Sequence, residues 1–388
     1  MEQCRIIIFT GKGGVGKTSV AAAHAVKASD EGKCTMLIST DMAHNLSDLF
    51  MTPIGRTEKT VKENLTVLEI DPEYEMQHEF SEMMQALYEM LPTELGNAQE
   101  LLMIPGVEEL FSLLKVKQLY ESGKYDLIVV DCAPTGETLS LLKFPELLSW
   151  YMEKFFPLGK LAMAVMHPIS KPLLNIQLPN GKAMNDIERF YLELNDLNKL
   201  LKNREISSVR IVALPEKMVV EETKRNYMYL NLYNFQTDGL FINRVLPKDA
   251  NAQFFDEWHK IQEQYINDLE NAFEGLDIRK ISWYDTDLNG IEALRQLYKD
   301  SFDDEDLFAV RKSAESERFE KTDEGYKMEL YLPFVDKKEV DLSEGENELI
   351  IKIGNYRRDI MLPSVLTKFH VAGAKLENSV LTVKFTEE

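Results

Sequence analysis

The chain of 388 residues is 44% hydrophobic, which is enough for two or three domains with sizeable cores. Its formal net charge of -21 at pH 7 argues against nucleic acid as a partner, because binding a phosphate backbone requires an excess of clustered Lys and Arg. The 3 cysteines form neither a disulfide framework nor a C-x-x-C zinc pair. The sequence has no apolar run of about 18 residues and no leading targeting segment. We therefore expect a cytoplasmic protein, or a stroma-like location if it is organellar.

The first predicted elements are a strand, a glycine-rich loop and a helix. Residues 4–9 form an apolar β-rich run, and helix formers fill residues 17–30. The loop fits the G-x-x-x-x-G-K-[ST] pattern, in which backbone N–H groups turn toward phosphates at a helix N-terminus. We expect Lys17 to reach the β- and γ-phosphates and the Thr18 hydroxyl to contact Mg²⁺, although a plain glycine-rich turn is the alternative. The predicted nucleotide-binding residues of this loop are Gly11, Gly13, Gly14, Val15, Gly16, Lys17, Thr18 and Ser19.

Further apolar runs that end in polar residues follow along the chain. They lie at residues 35–40, 127–130, 209–214 and 239–242. Because helical patterns separate them, they predict an α/β fold with a mostly parallel sheet covered by helices, whose ligand site lies at the carboxyl ends of the strands. Asp41, Asp131 and Asn243 fall at that edge. Carboxylates there can orient an attacking water or hold magnesium, whereas a lone strand-end Asp is often a helix cap.

Two methionine-rich segments, at about residues 73–114 and 150–201, interrupt this pattern and predict helical inserts. Nine of the 17 methionines lie between positions 76 and 184. The second segment ends in a helical stripe formed by Ile187, Phe190, Leu194, Leu197 and Leu201. Such stripes are often ordinary core, but the clustering of methionine favours a flexible apolar surface that adapts to varied partners.

The character of the chain changes after residue 300. Residues 301–317 are predicted to form an acidic linker or a closing helix. From residue 318 to 388 apolar residues alternate with polar ones, as in the run from Met328 to Leu332, which predicts a small antiparallel β-sandwich. Only Gly354 and Asn355 separate two of its strands, so a two-residue hairpin is expected there.

Several separate motifs in residues 1–300 resemble one known family. They are GKGGVGKTS, STDMAHNLSD, IPGVEEL, DCAPTGETLSLL, FINR and NGIEALRQL. Together they resemble the arsenical-pump and tail-anchored-protein-targeting ATPases, a P-loop group with a deviant phosphate loop. The resemblance implies a homodimer that hydrolyses ATP with Mg²⁺, in which Lys12 reaches the nucleotide of the other subunit. It also implies that Asp41 positions water, that Asp41 and Asp131 lie near magnesium with Thr18, and that Asn243 and Arg244 bind adenine.

The resemblance has limits and an extension. Family members usually have Pro at the position of Met42, His at that of Glu137, and Pro near the adenine where Ser282 or Trp283 falls. The tail resembles the α-crystallin domain of small heat-shock proteins in the runs YKMELYLP, LIIKI, DIMLP and AKLENSVL, with Ser379 where Gly is usual. The whole chain thus resembles a subgroup of targeting-type ATPases that ends in such a domain.

These observations lead to one favoured function and two alternatives. We expect an ATP-hydrolysing homodimeric chaperone or targeting factor whose nucleotide-switched groove binds apolar helices, with tail-anchor transmembrane helices as one candidate client and a membrane receptor as a further partner. No zinc is expected, because residues 244–255 contain no cysteine. The first alternative is a metal- or metalloid-stimulated efflux-pump ATPase subunit, for which convergent thiolates are wanting. The second is a membrane-associated positioning ATPase, which would need a terminal basic amphipathic helix.

Overall fold

The computed structural model describes residues 4–40, 45–78, 80–81, 107–132, 181–248, 253–311, 316–345, 348–366 and 368–387. Up to residue 301 the described strands are β1 (Arg5–Thr10), β2 (Thr35–Ser39), β3 (Lys59–Lys62), β4 (Leu65–Glu69), β5 (Leu127–Asp131), β6 (Ser207–Ala213), β7 (Thr237–Val245) and β8 (Asp277–Ser282). The described helices are α1 (Lys17–Asp30), α2 (Asn45–Leu49), α3 (Pro72–His78), α4 (Val107–Glu121), α5 (Gly181–Lys202), α6 (Lys217–Leu232), α7 (Gln253–Ala272) and α8 (Gly290–Ser301). The later strands are β9 (Glu317–Thr322), β10 (Gly325–Tyr331), β11 (Val340–Glu344), β12 (Glu348–Ile353), β13 (Tyr356–Met361), β14 (Phe369–Glu377) and β15 (Val380–Glu387).

An eight-stranded sheet forms the centre of the first domain. Its strand order is β3-β4-β2-β5-β1-β6-β7-β8, and each pairing is parallel except that of β3 with β4. β1, β2 and β5 are buried along their whole length, as their continuous apolar sequences predict for strands covered on both faces. The predicted α/β fold with a mostly parallel sheet is confirmed. β1, which leads into the glycine-rich loop, lies between β5 and β6.

The described ends of the two methionine-rich segments are core. In the first segment the rings of Phe80 and Phe111, both buried, pack 5.5 Å apart. In the second, the later part of the predicted stripe on α5 is buried through Leu194, Leu197 and Leu201. The central stretches, with Met83, Met84, Met163 and Met166, lie outside the described residues. Across the described ranges, no helix combines the length and apolarity that crossing a bilayer requires.

The stretch after α8 is tied to the first domain by buried charges. Glu305 is 2% exposed, and its carboxylate lies 2.9 Å from the guanidinium of Arg210 on β6 and 2.8 Å from that of Arg311. The ring of His24 on α1 approaches the same carboxylate at 3.3 Å, and Arg210 also pairs with Asp238 at 3.2 Å. Burial by itself would raise the pKa of Glu305, but Arg210, His24 and Arg311 lower it to about 2. Residues 302–311 therefore pack against the sheet through an ionised, buried carboxylate.

The C-terminal residues form two antiparallel sheets, and the predicted β-sandwich is confirmed. One sheet has the strand order β14-β15-β10-β9 and the other β11-β12-β13. Alternate side chains face the interior, as with Met328 and Leu330 on β10, which are fully buried. The two-residue hairpin is confirmed as well, because Ile353 pairs with Tyr356 across a turn in which Gly354 has φ 56°.

The β-sandwich is docked on helix α6 of the first domain. The guanidinium of Arg358, which is 4% exposed, donates to the backbone oxygen of Leu232 at 2.6 Å and pairs with Glu317 at 2.6 Å. The ring of Phe334 lies 6.4 Å from that of Tyr227 on α6. A buried, hydrogen-bonded arginine holds the two domains in a defined arrangement, since moving them apart would break its hydrogen bond to the carbonyl of Leu232, although Glu317 in the same sandwich would stay paired with it.

Candidate functional site

The glycine-rich loop is closed on one side and open on the other. Gly11 has φ 151°, and a Cβ there would lie 2.2 Å from the backbone oxygen of Val212. Gly16 has φ 91°, and its Cβ would lie 2.3 Å from the amide nitrogen of Asn243. A side chain at either position would collide with β6 or β7, so both positions require glycine. At Gly14, in contrast, a Cβ would meet no atom within 4 Å, and this open side can receive a ligand.

Helix α1 begins directly behind the loop and presents an uncompensated N-terminus. Its N-cap is Gly16, no side chain caps the helix, and its first turn holds no acidic residue. Thr18 and Ser19 lie half-buried in that turn. The amides and the partial positive charge of the helix end therefore remain available to an anion such as a phosphate group.

The two lysines of the loop have different environments. Lys17 is buried, and its ammonium donates to the backbone oxygen of Lys12 at 3.2 Å, so the side chain folds back over the loop. Lys12 is half-exposed, and its ammonium lies 3.7 Å from the carboxylate of Glu222 on α6. Within one chain, then, Lys17 points into the loop and Lys12 points to the neighbouring helix.

Asp131 lies at the carboxyl end of β5, beside the loop. It is 1% exposed, and it pairs in register with Phe9 of β1 on one side and with Ser39 of β2 on the other. Burial and the Asp131 carboxylate raise the pKa of the Cys132 thiol to about 12, while the Lys17 ammonium acts in the opposite direction. The charges of Asp131 and Lys17 therefore both lie near the end of β5. The sheet thus brings Asp131 to the same edge as the loop.

The predicted catalytic residue Asp41 lies outside the described residues. Thr40 is the last described residue before it, and its backbone N–H donates to the backbone oxygen of Asp131 at 3.0 Å. After Asp41 the chain is held again, because Glu69 at the end of β4 accepts from the backbone N–H of Ser47 at 2.9 Å and from its hydroxyl at 3.0 Å. The described residues on either side of positions 41–44 are therefore held at the carboxyl edge of the sheet.

Asn243 and Arg244 occupy the end of β7, next to the loop. The side chain of Asn243 is buried against it and donates to the backbone oxygen of Val15 at 2.8 Å. Arg244 is exposed and has a left-handed backbone, with φ 53°. The side-chain amide of Gln262 on α7 hydrogen-bonds to the backbone at Arg244 and at Leu246, and so holds this left-handed bend at the end of β7.

The donor set fits a nucleoside triphosphate with magnesium. The open glycine loop, the helix N-terminus and Lys17 suit a chain of phosphates, and the Thr18 hydroxyl and the Asp131 carboxylate are the hard oxygen ligands that Mg²⁺ prefers. Every described site residue from the sequence analysis lies at this edge of the sheet. Sequence reasoning missed Glu69, Glu222 and Gln262, since each is a single polar residue in a strand or helix with no motif around it.

Comparison with known proteins identifies relatives of both domains. A family model described as an anion-transporting ATPase matches residues 4–302, and one described as an HSP20-like domain found in ArsA matches residues 323–385. A Chlorobaculum tepidum protein provisionally named an arsenical pump-driving ATPase is 35% identical over 394 residues, which cover 99% of this chain and 96% of that protein. An Aquifex aeolicus protein with the same provisional name and the number 1 is 32% identical, with 98% and 99% covered. The ATPase get3 of Schizosaccharomyces japonicus is 30% identical over 294 residues, which cover 74% of this chain and 89% of that protein.

Proposed function

The chain belongs to the anion-transporting ATPase family and is therefore an ATP-hydrolysing enzyme, and from this premise we propose that it acts as a homodimeric, ATP-switched factor that binds apolar helices. The resemblance seen in the sequence motifs is confirmed, including the HSP20-like domain at the C-terminus. The observation that carries the proposal is the arrangement of two lysines on one phosphate loop, of which Lys17 folds inward and Lys12 points away.

In the proposed mechanism each residue of the site has a separate task. The loop amides and Lys17 would bind the phosphates of ATP, and Thr18 and Asp131 would hold a magnesium ion, which when bound would offset the negative charge of the phosphates. Asp41 accepts a hydrogen bond from the attacking water and orients it toward the γ-phosphate. Because Asp131 is buried beside β1 and β2, it is positioned by the sheet itself rather than by a mobile loop.

We further propose that Lys12 acts on the nucleotide of the second subunit. Its contact with Glu222 joins two half-exposed groups at 3.7 Å, and such a surface pair contributes only about 0–1 kcal/mol. Closure of a dimer can therefore exchange this contact for one with a phosphate group. A cation supplied by the partner stabilises the charge that develops during phosphoryl transfer, so hydrolysis would depend on closure.

Mixing two inactive variants tests this arrangement. Lys12→Ala subunits lack the cation, and Asp41→Asn subunits lack the water-orienting carboxylate, so either homodimer should be inactive. In a heterodimer one of the two composite sites should regain both groups, and activity should return to about half that of the wild type. A heterodimer that stays as inactive as its parents would show that Lys12 does not act across the interface.

The client-binding part of the proposal is supported by the methionine-rich segments. Their described ends pack into the core, as Phe80 with Phe111 does, and so provide a fixed base for the central stretches. A methionine-rich surface adapts to apolar helices of different sequence, and nucleotide-controlled opening would supply the means of release. We propose the tail-anchor helices of membrane proteins as clients, a membrane receptor as a further partner, and a cytoplasmic or stroma-like place of action.

Stimulation by a metalloid is the competing function, favoured by the names of two relatives as arsenical pump-driving ATPases. The cysteines argue against it, because Cys4 and Cys34 precede β1 and β2 at one edge of the sheet whereas Cys132 follows β5 at the opposite edge, so the three thiols do not converge within one chain. Burial also raises the pKa of the Cys4 and Cys132 thiols to about 12, which disfavours the thiolate that a soft metalloid needs. Antimonite that raises the ATPase rate of the purified protein several-fold would favour this competing function.

A further inference from the structure

The side chain of Asn243 makes two hydrogen bonds that fix its orientation. Its amide nitrogen donates to the backbone oxygen of Val15 at 2.8 Å, and its amide oxygen accepts from the backbone N–H of Arg244 at 2.8 Å. A backbone carbonyl can only accept and a backbone N–H can only donate, so the flipped amide would fail at both contacts. Asn243 therefore connects the end of β7 to the phosphate loop, 228 positions earlier in the chain.

The contact falls where the loop becomes a helix. Val15 is 1% exposed, and the next residue, Gly16, is the N-cap of α1. The amide nitrogen of Asn243 lies so close to Gly16 that a Cβ there would be only 2.3 Å away. A change in the position of Asn243 would thus move the carbonyl of Val15 and, with it, the first amides of the helix.

The strand end that carries Asn243 is itself held by two further elements, α7 and β8. Gln262 donates from its side-chain amide to the backbone oxygen of Arg244 at 3.1 Å and accepts from the backbone N–H of Leu246 at 2.9 Å. The backbone N–H of Trp283, directly after β8, donates to Val245 at 2.8 Å. Helix α7 and strand β8 therefore support the turn, and Asn243 transmits this support to the loop.

We propose that Asn243 is a positioning residue for the phosphate loop, in addition to any contact with the nucleobase. An asparagine amide offers two N–H donors and two acceptor lone pairs, and the contacts with Val15 and Arg244 use one of each. One donor and one acceptor remain for the edge of a base, so the same side chain links base recognition to the shape of the phosphate site. The inference rests on the proposed assignment of residues 11–19 as that site.

A ligand without a base separates the two roles. Inorganic tripolyphosphate with Mg²⁺ would be titrated calorimetrically into the full-length protein and into its Asn243→Ala, Asn243→Asp, Gln262→Ala and Lys17→Ala variants. We expect Asn243→Ala and Asn243→Asp to weaken tripolyphosphate binding about ten-fold, because the buried carbonyl of Val15 loses its donor. Among the described residues, Gln262 hydrogen-bonds to the backbone of Arg244 and Leu246 and not to the loop. Its replacement by Ala should therefore also weaken tripolyphosphate binding, but by less. Melting temperatures identify any variant that does not fold, and Gln262 on the surface of α7 provides the second test.

The outcomes distinguish an Asn243 that positions the phosphate loop from one that only recognises the base. If Asn243→Ala binds tripolyphosphate like the wild type and loses only its preference for ATP over GTP, the positioning role is refuted. If both Asn243 variants and Gln262→Ala weaken tripolyphosphate binding while their melting temperatures stay near that of the wild type, the role is supported. If Lys17→Ala binds tripolyphosphate with unchanged affinity, the assignment of residues 11–19 as the phosphate site is wrong. The positioning role of Asn243 is then refuted as well.

Discussion

Replacing Glu305 by Gln should destabilise the first domain strongly, although the residue lies outside the candidate site. The side chain is 2% exposed, and its carboxylate faces Arg210 at 2.9 Å, Arg311 at 2.8 Å and the ring of His24 at 3.3 Å. Glutamine has nearly the same size but no charge, so the substitution leaves the packing intact and removes the anion. Arg210 then stays buried with Asp238 as its remaining counter-ion.

Two arguments give the same magnitude for this change. Removing one partner of a buried ion pair costs about 3–5 kcal/mol, and the low end applies here because Arg210 keeps Asp238. The pKa of Glu305, about 2 against an ordinary 4.5, independently corresponds to about 3 kcal/mol of stabilisation at neutral pH. We therefore expect the free energy of unfolding to fall by about 3 kcal/mol at pH 7.

The effect should depend on pH with a defined sign. The folded-state pKa of Glu305 is lowered, so its contribution is present above pH 4.5 and is lost as the pH falls from 4.5 toward 2. Burial lowers the pKa of His24, which adds a loss of stability below about pH 6.5 because the unfolded chain then binds a proton that the folded chain does not. The difference between wild type and Glu305→Gln should therefore be large at pH 7, less than half as large at pH 3, and small only near pH 2.

Urea unfolding followed by tryptophan fluorescence measures this difference. The matched control is Asp303→Asn, which removes the same charge from an exposed position two residues away and should change stability by less than about 0.5 kcal/mol. If Glu305→Gln is no less stable than Asp303→Asn at pH 7, the buried network does not hold residues 302–311 in the way described.

Four further predictions concern the site, the inserts and the tail. Lys12→Ala should lower the ATPase rate by about two to four orders of magnitude while ATP still binds in equilibrium dialysis, because Lys17 and the loop amides remain; a normal rate would refute a catalytic role. Asp41→Asn should accumulate as an ATP-bound dimer in sedimentation experiments, and hydrolysis at the wild-type rate would contradict its assignment. Four central methionines are to be replaced by Gln: Met83, Met84, Met163 and Met166. The change should weaken the cross-linking of apolar helices and leave the basal ATPase activity unchanged, whereas loss of folding would show that these residues belong to the core. Residues 318–388 should sediment as a monomer at micromolar concentration, because the hairpin at Gly354 leaves no room for an exchanged strand, and a stable dimer would overturn this.

Much of the fold was predictable because its signals are local. Continuous apolar runs identified β1, β2 and β5, and the two-residue alternation around Met328 identified the sandwich, since a covered strand and a half-covered strand require different side-chain patterns. The phosphate loop was equally readable, because the left-handed backbone at Gly16 admits hardly any other residue. The hairpin at Gly354 followed from its two-residue length.

What the sequence by itself determined is therefore the set of elements and the chemistry at their ends: a phosphate loop between strand and helix, Asp131 at the end of β5, and Asn243 at the end of β7. The tertiary structure alone decided which distant groups meet. The bond from Asn243 to Val15 joins residues 228 positions apart, and the pairing of Lys12 with Glu222 depends on how α6 packs beside the loop. Such contacts leave no periodic trace in one sequence, because each depends on a single side chain whose neighbours are chosen by the packing of whole elements.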